Sequence, residues 1–297
     1  MKKKKKKNTR KHTDPKRPQR PSFFNDFVTC AKWLKRSVYL IVRGRKVNID
    51  GQESVKWITL GSGFVAAPHR MITDAHVIND SQKGELMQHK EGDQYYLLQH
   101  DDDNNSHCCI VKPKLDSEIF LYPDFDLGII YLDESFYKCG EKVFVDQNDF
   151  IRISSKILPI GSEIGVLGYP LCELAFEDRD FSKPKIGGIL IRIDKGVVNC
   201  KYRTSETTSV YEFTLSFNPG NSGGPIFDVR TGEVISLVKG LKLIPIIQKE
   251  EPISEEKAKE FKIYKEKAYI ETLYTTYSMG IAIPSFWEIL KKHEIVN

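Results

Sequence analysis

A serine enclosed by glycines is the residue in this sequence best suited to chemistry. Ser222 lies in residues 218–225, which read Asn-Pro-Gly-Asn-Ser-Gly-Gly-Pro. Glycine reaches positive φ and lets the backbone approach closely. A tight turn needs this freedom if the N–H groups of Gly220 and Ser222 are to converge on one oxygen. The segment predicts a nucleophile beside an oxyanion hole, with Asn221 at the intervening position. The alternative is an ordinary glycine-rich turn between two strands.

Acyl transfer also needs a base for the serine proton and a carboxylate that orients this base. His76 lies in residues 71–77, Met-Ile-Thr-Asp-Ala-His-Val, which follow a strand rich in small residues. Asp126 directly precedes the apolar run 127–130, where a carboxylate could bond to an imidazole, and Asp124 is a rival in the same loop. Considered alone, His76 could instead be an ordinary surface or core histidine. Asp126 could instead be an aspartate that stabilises a turn.

Together these segments resemble the trypsin-like serine peptidases, and most closely the HtrA/Deg-type branch. The resemblance covers about residues 37–295 and includes 73–77, 126–130, 218–226, 232–235 and 280–285. It implies a double β-barrel in which His76, Asp126 and Ser222 form a catalytic triad. It also implies an oxyanion hole at Gly220, Asn221 and Ser222, with the amides of Gly220 and Ser222 as donors, and an acyl-enzyme mechanism that cleaves proteins without a cofactor.

The chain departs from the HtrA/Deg pattern in three ways. It ends after the final helix, so we expect no PDZ domain, and regulation by such a domain should not be assumed. Residues 241–278 form an insertion of about forty residues after the strand expected to line the substrate cleft, whereas the family often has a short connection. The third departure is a basic N-terminal tail.

The resemblance also suggests where a substrate side chain would bind. The pocket floor of digestive relatives lies six positions before the nucleophile, which is Ser216 here. Because Ser216 carries no negative charge, we expect a neutral, small-to-medium apolar side chain before the cleaved bond rather than Arg or Lys. The candidate pocket residues are Ser216, Phe217, Val238, Lys239 and Gly240.

Two other functions compete with this interpretation. Residues 220–224 also fit the G-x-S-x-G elbow of α/β-hydrolases, which are esterases among other enzymes. Those enzymes order the triad Ser, acid, His, and only His293 follows Ser222 in this chain. The second competitor is a catalytically silent scaffold or binding protein of the same fold.

Hydrophobic periodicity predicts an all-β chain with few helices. Short apolar runs separated by turn signals predict strands from about residue 37 onward, with barrel halves at about 37–145 and 146–283. An amphipathic helix is predicted at 22–36, capped by Ser22. A C-terminal helix is predicted at about 284–295, where Ser285 and Glu288 have the spacing of a capping box. A charged helix is predicted within 254–273, either packed on the second barrel or covering the cleft as a lid.

The charge is concentrated at the N-terminus. Residues 1–20 hold eleven Lys or Arg and one Asp, a formal charge of +10, which leaves −5 for the rest of a chain whose total is +5. We expect residues 1–21 to be a disordered polybasic tail. Such a tail, with Lys2–Lys7 at its start, could contact nucleic acid or an anionic surface, or serve as a solubilising or localising arm.

Neither a transmembrane segment nor a secretion signal is evident in the sequence. We therefore expect an intracellular, cytoplasmic protein whose six cysteines are free thiols. His100, His107, Cys108 and Cys109 lie near three aspartates, but their spacing fits no standard zinc pattern. We interpret this stretch as a polar loop and predict no metal. The oligomeric state is not indicated by the sequence.

Overall fold

A computed structural model gives the structure of this protein. It describes residues 20–49, 51–80, 84, 87–99, 109–110, 118–132, 136–138, 141–143, 150–170, 191–206, 208–215, 217–247 and 273–297. Residues 1–19 of the predicted polybasic tail, residues 254–272 of the predicted charged helix and residues 100–108 therefore lie outside the described residues. Arg20, near the end of the predicted tail, is described and donates to the carbonyl oxygens of Thr231 and Gly232, each at 3.0 Å.

The first half of the chain forms a six-stranded antiparallel sheet, called here the first sheet. Its strand order is β4-β1-β2-β3-β7-β6. The two predicted runs 57–60 and 63–67 belong to one long strand, β2. The strands are β1 Val38–Ile49, β2 Gln52–Ala67, β3 Arg70–Thr73, β4 Gln94–Leu98, β6 Ile119–Tyr122 and β7 Leu127–Tyr131. A separate three-stranded sheet contains β5 Cys109–Ile110, β8 Phe136–Lys138 and β9 Glu141–Val143.

The second half forms a closed six-stranded barrel, called here the second barrel, in the order β10-β11-β12-β15-β14-β13. Closure leaves no sheet edge unpaired. Its strands are β10 Glu163–Gly168, β11 Arg192–Arg203, β12 Ser209–Phe213, β13 Pro225–Asp228, β14 Val234–Ile247 and β15 Leu273–Ala282. The ends of the predicted insertion continue β14 and β15 as paired antiparallel strands, from Leu241 opposite Ser278 to Ile247 opposite Leu273. The prediction of an all-β double-barrel fold with a C-terminal helix is confirmed.

The described helices are short. They are α1 Phe27–Leu34, α2 Ala75–Ile78 and α3 Trp287–Lys292, with 3₁₀ turns at Lys35–Ser37, Pro123–Phe125 and Ile283–Phe286. α1 starts later than predicted because its cap is Asp26, whose carboxylate accepts a hydrogen bond from the Thr29 N–H at 2.8 Å, rather than Ser22. Ser285 does not form the predicted capping box, since its Oγ accepts from the Ser209 N–H instead. Among the described residues, no helix is long and apolar enough to cross a membrane.

The apolar face of α1 packs into the protein core. Phe24 and Leu34 are buried, and Phe27 stacks on Phe227 of β13 with ring centroids 6.3 Å apart. The Phe24 N–H also donates to the Arg230 carbonyl at 2.8 Å. Burial of these side chains accounts for most of the amphipathic pattern of the segment, while Phe23 and Val28 are exposed.

One apolar cluster joins the two halves of the molecule. It combines Phe64 and Leu127 of the first sheet with Leu167 and Phe227 of the second barrel, and Leu290 of α3 packs in the same cluster. Each half also has a cluster of its own. Burial of apolar surface between the halves therefore fixes their relative position.

Cys30 and Cys200 are free thiols. Cys30 is buried in α1, and desolvation raises the pKa of its thiol to about 12. Because the thiolate is the reactive form of cysteine, Cys30 has a packing role rather than a chemical one.

A buried ionic network holds the segment that follows α2. Arg43 is fully buried in β1 and donates to the carbonyl oxygens of Gln88 at 3.0 Å and Ile78 at 3.4 Å. Arg45 forms a bidentate pair with Asp93, at 2.7 and 2.6 Å, and Nε of Arg43 lies 3.7 Å from the same carboxylate. Burial opposes ionisation of Asp93, but hydrogen bonds from Arg45 and the Lys90 N–H, together with the charges of both arginines, hold the pKa of this carboxyl below its usual value. The network thus fixes α2 against the first sheet.

We predict that Asp93→Asn destabilises the protein by about 3 kcal/mol, because it leaves Arg43 and Arg45 without their buried counter-charge. Urea unfolding at neutral pH measures this loss. Glu53→Gln is the matched control, since Glu53 pairs with Lys46 at 3.2 Å on the exposed surface and its loss should cost at most about 0.5 kcal/mol. Equal effects of the two variants would contradict the prediction.

Candidate active site

His76 is carried by α2, which directly follows β3 of the first sheet. β3 ends at the fully buried Thr73, and Asp74 occupies the position that caps α2. The imidazole of His76 is about one quarter exposed, with 26% of its side-chain surface accessible. A short helix on a buried strand thus presents the ring at the surface of the sheet while its backbone remains fixed.

Asp126 contacts α2 through both its side chain and its backbone. Its Oδ2 lies 2.9 Å from His76 Nδ1, and its Oδ1 accepts from the His76 N–H at 3.0 Å. Its carbonyl oxygen accepts from the Ala75 N–H at 3.1 Å. Asp126 adopts the left-handed conformation, with φ of 48°, an arrangement that aspartate tolerates better than most residues. The structure places Asp126 against His76, whereas Asp124 is exposed in the adjoining 3₁₀ turn.

The hydrogen bond to Asp126 determines the tautomer of His76. A carboxylate accepts hydrogen bonds, so Nδ1 of the neutral imidazole carries the proton. The hydrogen-bond network therefore assigns the lone pair to Nε2. In this tautomer the ring can accept a proton at Nε2 while the Asp126 carboxylate stabilises the imidazolium that forms.

The turn that carries Ser222 is hydrogen-bonded to the first sheet. The Ser62 N–H donates to the carbonyl oxygen of Ser222 at 2.8 Å, and the Ser62 hydroxyl donates to that of Gly220 at 2.7 Å. The same hydroxyl accepts from the Tyr169 N–H at 2.8 Å. The nucleophile predicted from the sequence therefore lies on one half of the molecule and is fixed by the other half.

The N–H groups on either side of Asn221 have no acceptor among the described residues. Within the part of the chain that the structure describes, neither the Gly220 N–H nor the Ser222 N–H makes a hydrogen bond. Gly220 has φ of 98°, a conformation that side chains rarely adopt. The Asn221 N–H, by contrast, donates to the Asn218 carbonyl at 3.0 Å. The two N–H groups predicted as oxyanion donors therefore have no acceptor among the described residues, whereas the Asn221 N–H between them is engaged.

His76, Ser222 and Gly220 line the same cavity. Its volume is about 400 Å³, and it is open to the surface. Apolar side chains of the first sheet and of the segment after α2 form much of its wall. The other lining residues are Leu40, Thr59, Leu60, Gly61, Met87, Tyr169 and Pro219. A substrate group bound here would lie beside both the imidazole and the serine.

The substrate-pocket residues predicted from the sequence lie elsewhere in the second barrel. Phe217 and Val238 are buried in its core, Lys239 is exposed and Gly240 is half-buried. Ser216 lies outside the described residues. The assignment of these five residues to a pocket stays a prediction, and the described cavity is formed by other residues.

Three side chains of the site were not predicted from the sequence. They are Ser62 and Asp74, both bonded to the turn of Ser222, and Tyr169, which lines the cavity. Asp74 had one visible signal, a charged residue between a buried strand and the histidine. Ser62 and Tyr169 had none, because their partners lie more than 100 positions away in the chain.

Asp74, His76 and Asp126 bring three donor atoms within 4.8 Å of one another, a spacing that a small cation could use. The carboxylate–imidazole hydrogen bonds and the bond from the Gly223 N–H to Asp74 account for this arrangement. The same contacts supply the proton-transfer chemistry described above, and we assign no metal to the cluster.

A double-barrel fold with a carboxylate-bound histidine and a glycine-flanked serine on one cavity defines the class of serine-type peptidases. The family model described as the trypsin-like peptidase domain matches residues 61–237, so the chain belongs to this family.

Solved structures of peptidases share the fold at low sequence identity. The HtrA-type protease AlgW, solved with a decapeptide, aligns with a TM-score of 0.51 and 14% identity over 91% of this chain and 67% of that one. An inactive form of Rv3671c from M. tuberculosis H37Rv aligns with a TM-score of 0.49 and 16% identity, over 94% of this chain and 95% of that one. The serine endoprotease from Yersinia pestis aligns with a TM-score of 0.46 and 16% identity, over 92% of this chain and 67% of that one. No curated protein sequence is significantly similar to this chain.

We predict that Gly223→Ala inactivates the enzyme. Gly223 has φ of 78°, and a methyl group there would collide with the Ser62 carbonyl oxygen and the Thr73 hydroxyl, both of which are buried. The turn of Ser222 would have to move away from the first sheet. The measurement is peptidase activity on a protein substrate such as casein, which this displacement should abolish.

Gly161→Ala is the control for this substitution. Gly161 has a similar φ of 86°, but a methyl group there would meet no atom within 4 Å. The control therefore carries only the backbone strain, about 1 kcal/mol, and should retain activity. An active Gly223→Ala enzyme would contradict the packing described for the turn.

Proposed function

We propose that this peptidase is an endopeptidase that cleaves proteins through an acyl-enzyme intermediate on Ser222. His76 acts as the general base and Asp126 orients it. The observation that carries the proposal is the bond between His76 Nδ1 and the Asp126 carboxylate, on a ring that lines one cavity with Ser222. This arrangement gives the imidazole the tautomer that proton abstraction at Nε2 requires.

The reaction divides into two acyl transfers. His76 takes the Ser222 proton as the oxygen attacks the peptide carbonyl, and the Gly220 and Ser222 N–H groups bind the oxyanion that develops. His76 then gives its proton to the leaving amine, and the C–N bond breaks. Water enters, loses a proton to His76 and attacks the ester, and the serine recovers its proton as the acid product leaves.

The hydrogen bonds of His293 argue against the esterase alternative. His293 is buried, and its two ring nitrogens lie 2.6 Å from the Tyr122 hydroxyl and 2.8 Å from the Tyr131 hydroxyl. Both nitrogens are therefore engaged away from Ser222. The strand pairs of both sheets are antiparallel, whereas the α/β-hydrolase elbow requires a parallel sheet with interleaved helices.

The available donors argue against a silent scaffold of the same fold. A scaffold needs no pair of unsatisfied N–H groups beside a serine, and an unpaired polar group that loses contact with water is costly. The Gly220 and Ser222 N–H groups have no acceptor among the described residues. An acyl-transfer enzyme, by contrast, needs N–H groups of this kind to bind a substrate oxygen.

We predict that a fluorophosphonate probe labels the wild-type enzyme and that Ser222→Ala abolishes the labelling. Asp126→Asn should lower kcat by about ten thousandfold, since the amide favours the wrong tautomer of His76. Ser205→Ala, a change at an exposed turn serine, serves as the control and should leave labelling intact. Labelling that persists in Ser222→Ala would overturn the assignment of the nucleophile.

We also predict a preference for apolar side chains next to the cleaved bond. The cavity that His76 and Ser222 share is walled by Leu40, Leu60 and Met87, so a charged group would be desolvated there without a described partner. Ser216 likewise offers no negative charge to a basic side chain. Mass-spectrometric analysis of cleavage in a peptide library should show neutral residues flanking the cut. Dominant cleavage after Arg or Lys would contradict this specificity.

A further inference from the structure

A second carboxylate lies beside the candidate base, and the triad does not use it. Asp74 is 2% exposed and directly precedes α2. Its Oδ2 lies 3.9 Å from His76 Nδ1, on the nitrogen that Asp126 holds at 2.9 Å. One imidazole therefore faces two carboxyl groups, and Asp74 is the more deeply buried of them. A buried carboxyl group needs hydrogen-bond partners, and those that Asp74 uses indicate its role.

Asp74 does not cap the helix that it precedes. An aspartate at this position normally accepts a hydrogen bond from an N–H group in the first turn of its helix. The side chain of Asp74 makes no such bond. Its Oδ2 instead accepts from the Gly223 N–H at 2.8 Å, and this N–H also donates to the Val238 carbonyl oxygen at the longer distance of 3.2 Å. The carboxyl group thus bonds to the residue that follows Ser222, 149 positions away in the chain.

The surroundings of Asp74 favour its uncharged form. Burial and the nearby Asp126 carboxylate raise the pKa of Asp74 well above 3.8, while His76, the Gly223 N–H and Lys239 of β14 oppose this rise. These are the charged and hydrogen-bonding groups that face it from α2, the Asp126 loop, the serine turn and β14. Burial and the adjacent carboxylate therefore both favour the protonated form of Asp74.

We propose that Asp74 is a positioning residue, which ties the turn of Ser222 to the helix of His76 through the Gly223 N–H. This inference rests on the proposed function, since it assigns a role within the same acyl transfer. The carbonyl-type oxygen of an uncharged Asp74 accepts the bond, and only one negative charge, that of Asp126, then acts on the imidazole.

The expected effect falls on the chemical step. Proton transfer from Ser222 to His76 requires the hydroxyl and the ring to remain at a fixed separation, and a displacement of about 1 Å can cost about a hundredfold in rate. Substrate binding relies on other surfaces of the cavity. Removal of the Asp74 bond should therefore lower kcat and leave KM nearly unchanged.

The experiment compares Asp74→Asn with Asp74→Ala in the full chain. Asn keeps an acceptor oxygen and resembles the uncharged carboxyl group, so kcat should stay close to that of the wild type. Ala removes the acceptor and should lower kcat and the rate of fluorophosphonate labelling by about ten- to a hundredfold, with KM unchanged. If the Ala variant does not fold, Asp74→Ser replaces it, because serine can cap α2 but is shorter.

The pH dependence provides a readout that a purely structural role would not alter. The acidic limb of the kcat/KM profile should coincide for wild type and Asp74→Asn, because both carry no charge at this position. The pKa of Asp74 is higher in the folded protein than in the unfolded chain, where it is about 3.8. The free energy of unfolding of the wild type should therefore fall relative to that of Asp74→Asn as the pH rises above about 3.8. A shifted acidic limb, or wild-type stability that rises relative to Asn over this range, would refute the uncharged form.

The labelling assay separates failure of this inference from failure of the proposed function. A wild-type enzyme that the probe does not label contradicts the nucleophile assignment itself. A wild-type enzyme that is labelled, together with Asp74→Ala or Asp74→Ser labelled at the same rate, contradicts only the positioning role of Asp74. Equal kcat values for Asp74→Asn and for Asp74→Ala or Asp74→Ser would also contradict the positioning role of Asp74.

Discussion

The hydrogen bonds between the serine turn and the first sheet are the constraint on which the site depends. Ser222 belongs to the second barrel, while His76 and Asp126 belong to the first sheet. A nucleophile and a base on separate units would drift apart unless something fixed them at the point of contact. The Ser62 N–H and hydroxyl bind the carbonyl oxygens on either side of Asn221, and Asp74 binds the Gly223 N–H. The shared apolar cluster holds the halves together, and these bonds set the finer alignment.

The hydrogen-bond donors and acceptors of the turn have different partners, in a way that suits the proposed mechanism. Its carbonyl oxygens at Gly220 and Ser222 are satisfied by Ser62, while the N–H groups of the same two residues have no described partner. The turn is therefore anchored through its acceptors and leaves its donors for a ligand. Preorganised donors of this kind need no rearrangement when negative charge develops on a bound oxygen.

The sequence was sufficient to predict the parts of this site that depend on local chemistry. The glycines around Ser222 signal a tight turn, and alternating apolar runs signal the strands that end near His76 and begin after Asp126. The inter-barrel contacts could not be predicted, because they join Ser62 and Asp74 to residues about 150 positions away. The predicted helix cap, Ser22, was also wrong, and Asp26 caps α1 instead. Phe24 lies between the two residues and packs into the apolar cluster that joins the halves of the molecule, a tertiary contact that local sequence does not reveal.

A carboxyl group at position 74 has consequences that an amide would not have. Either group can accept the Gly223 hydrogen bond, but only the carboxyl group can release a proton. An ionised Asp74 would place a second negative charge within 4 Å of the imidazole and would raise its affinity for a proton. The base would then be protonated more readily and would be less able to accept the serine proton at neutral pH. Burial of Asp74 opposes that ionisation, so the packing that aligns the proposed nucleophile also avoids this extra protonation of His76.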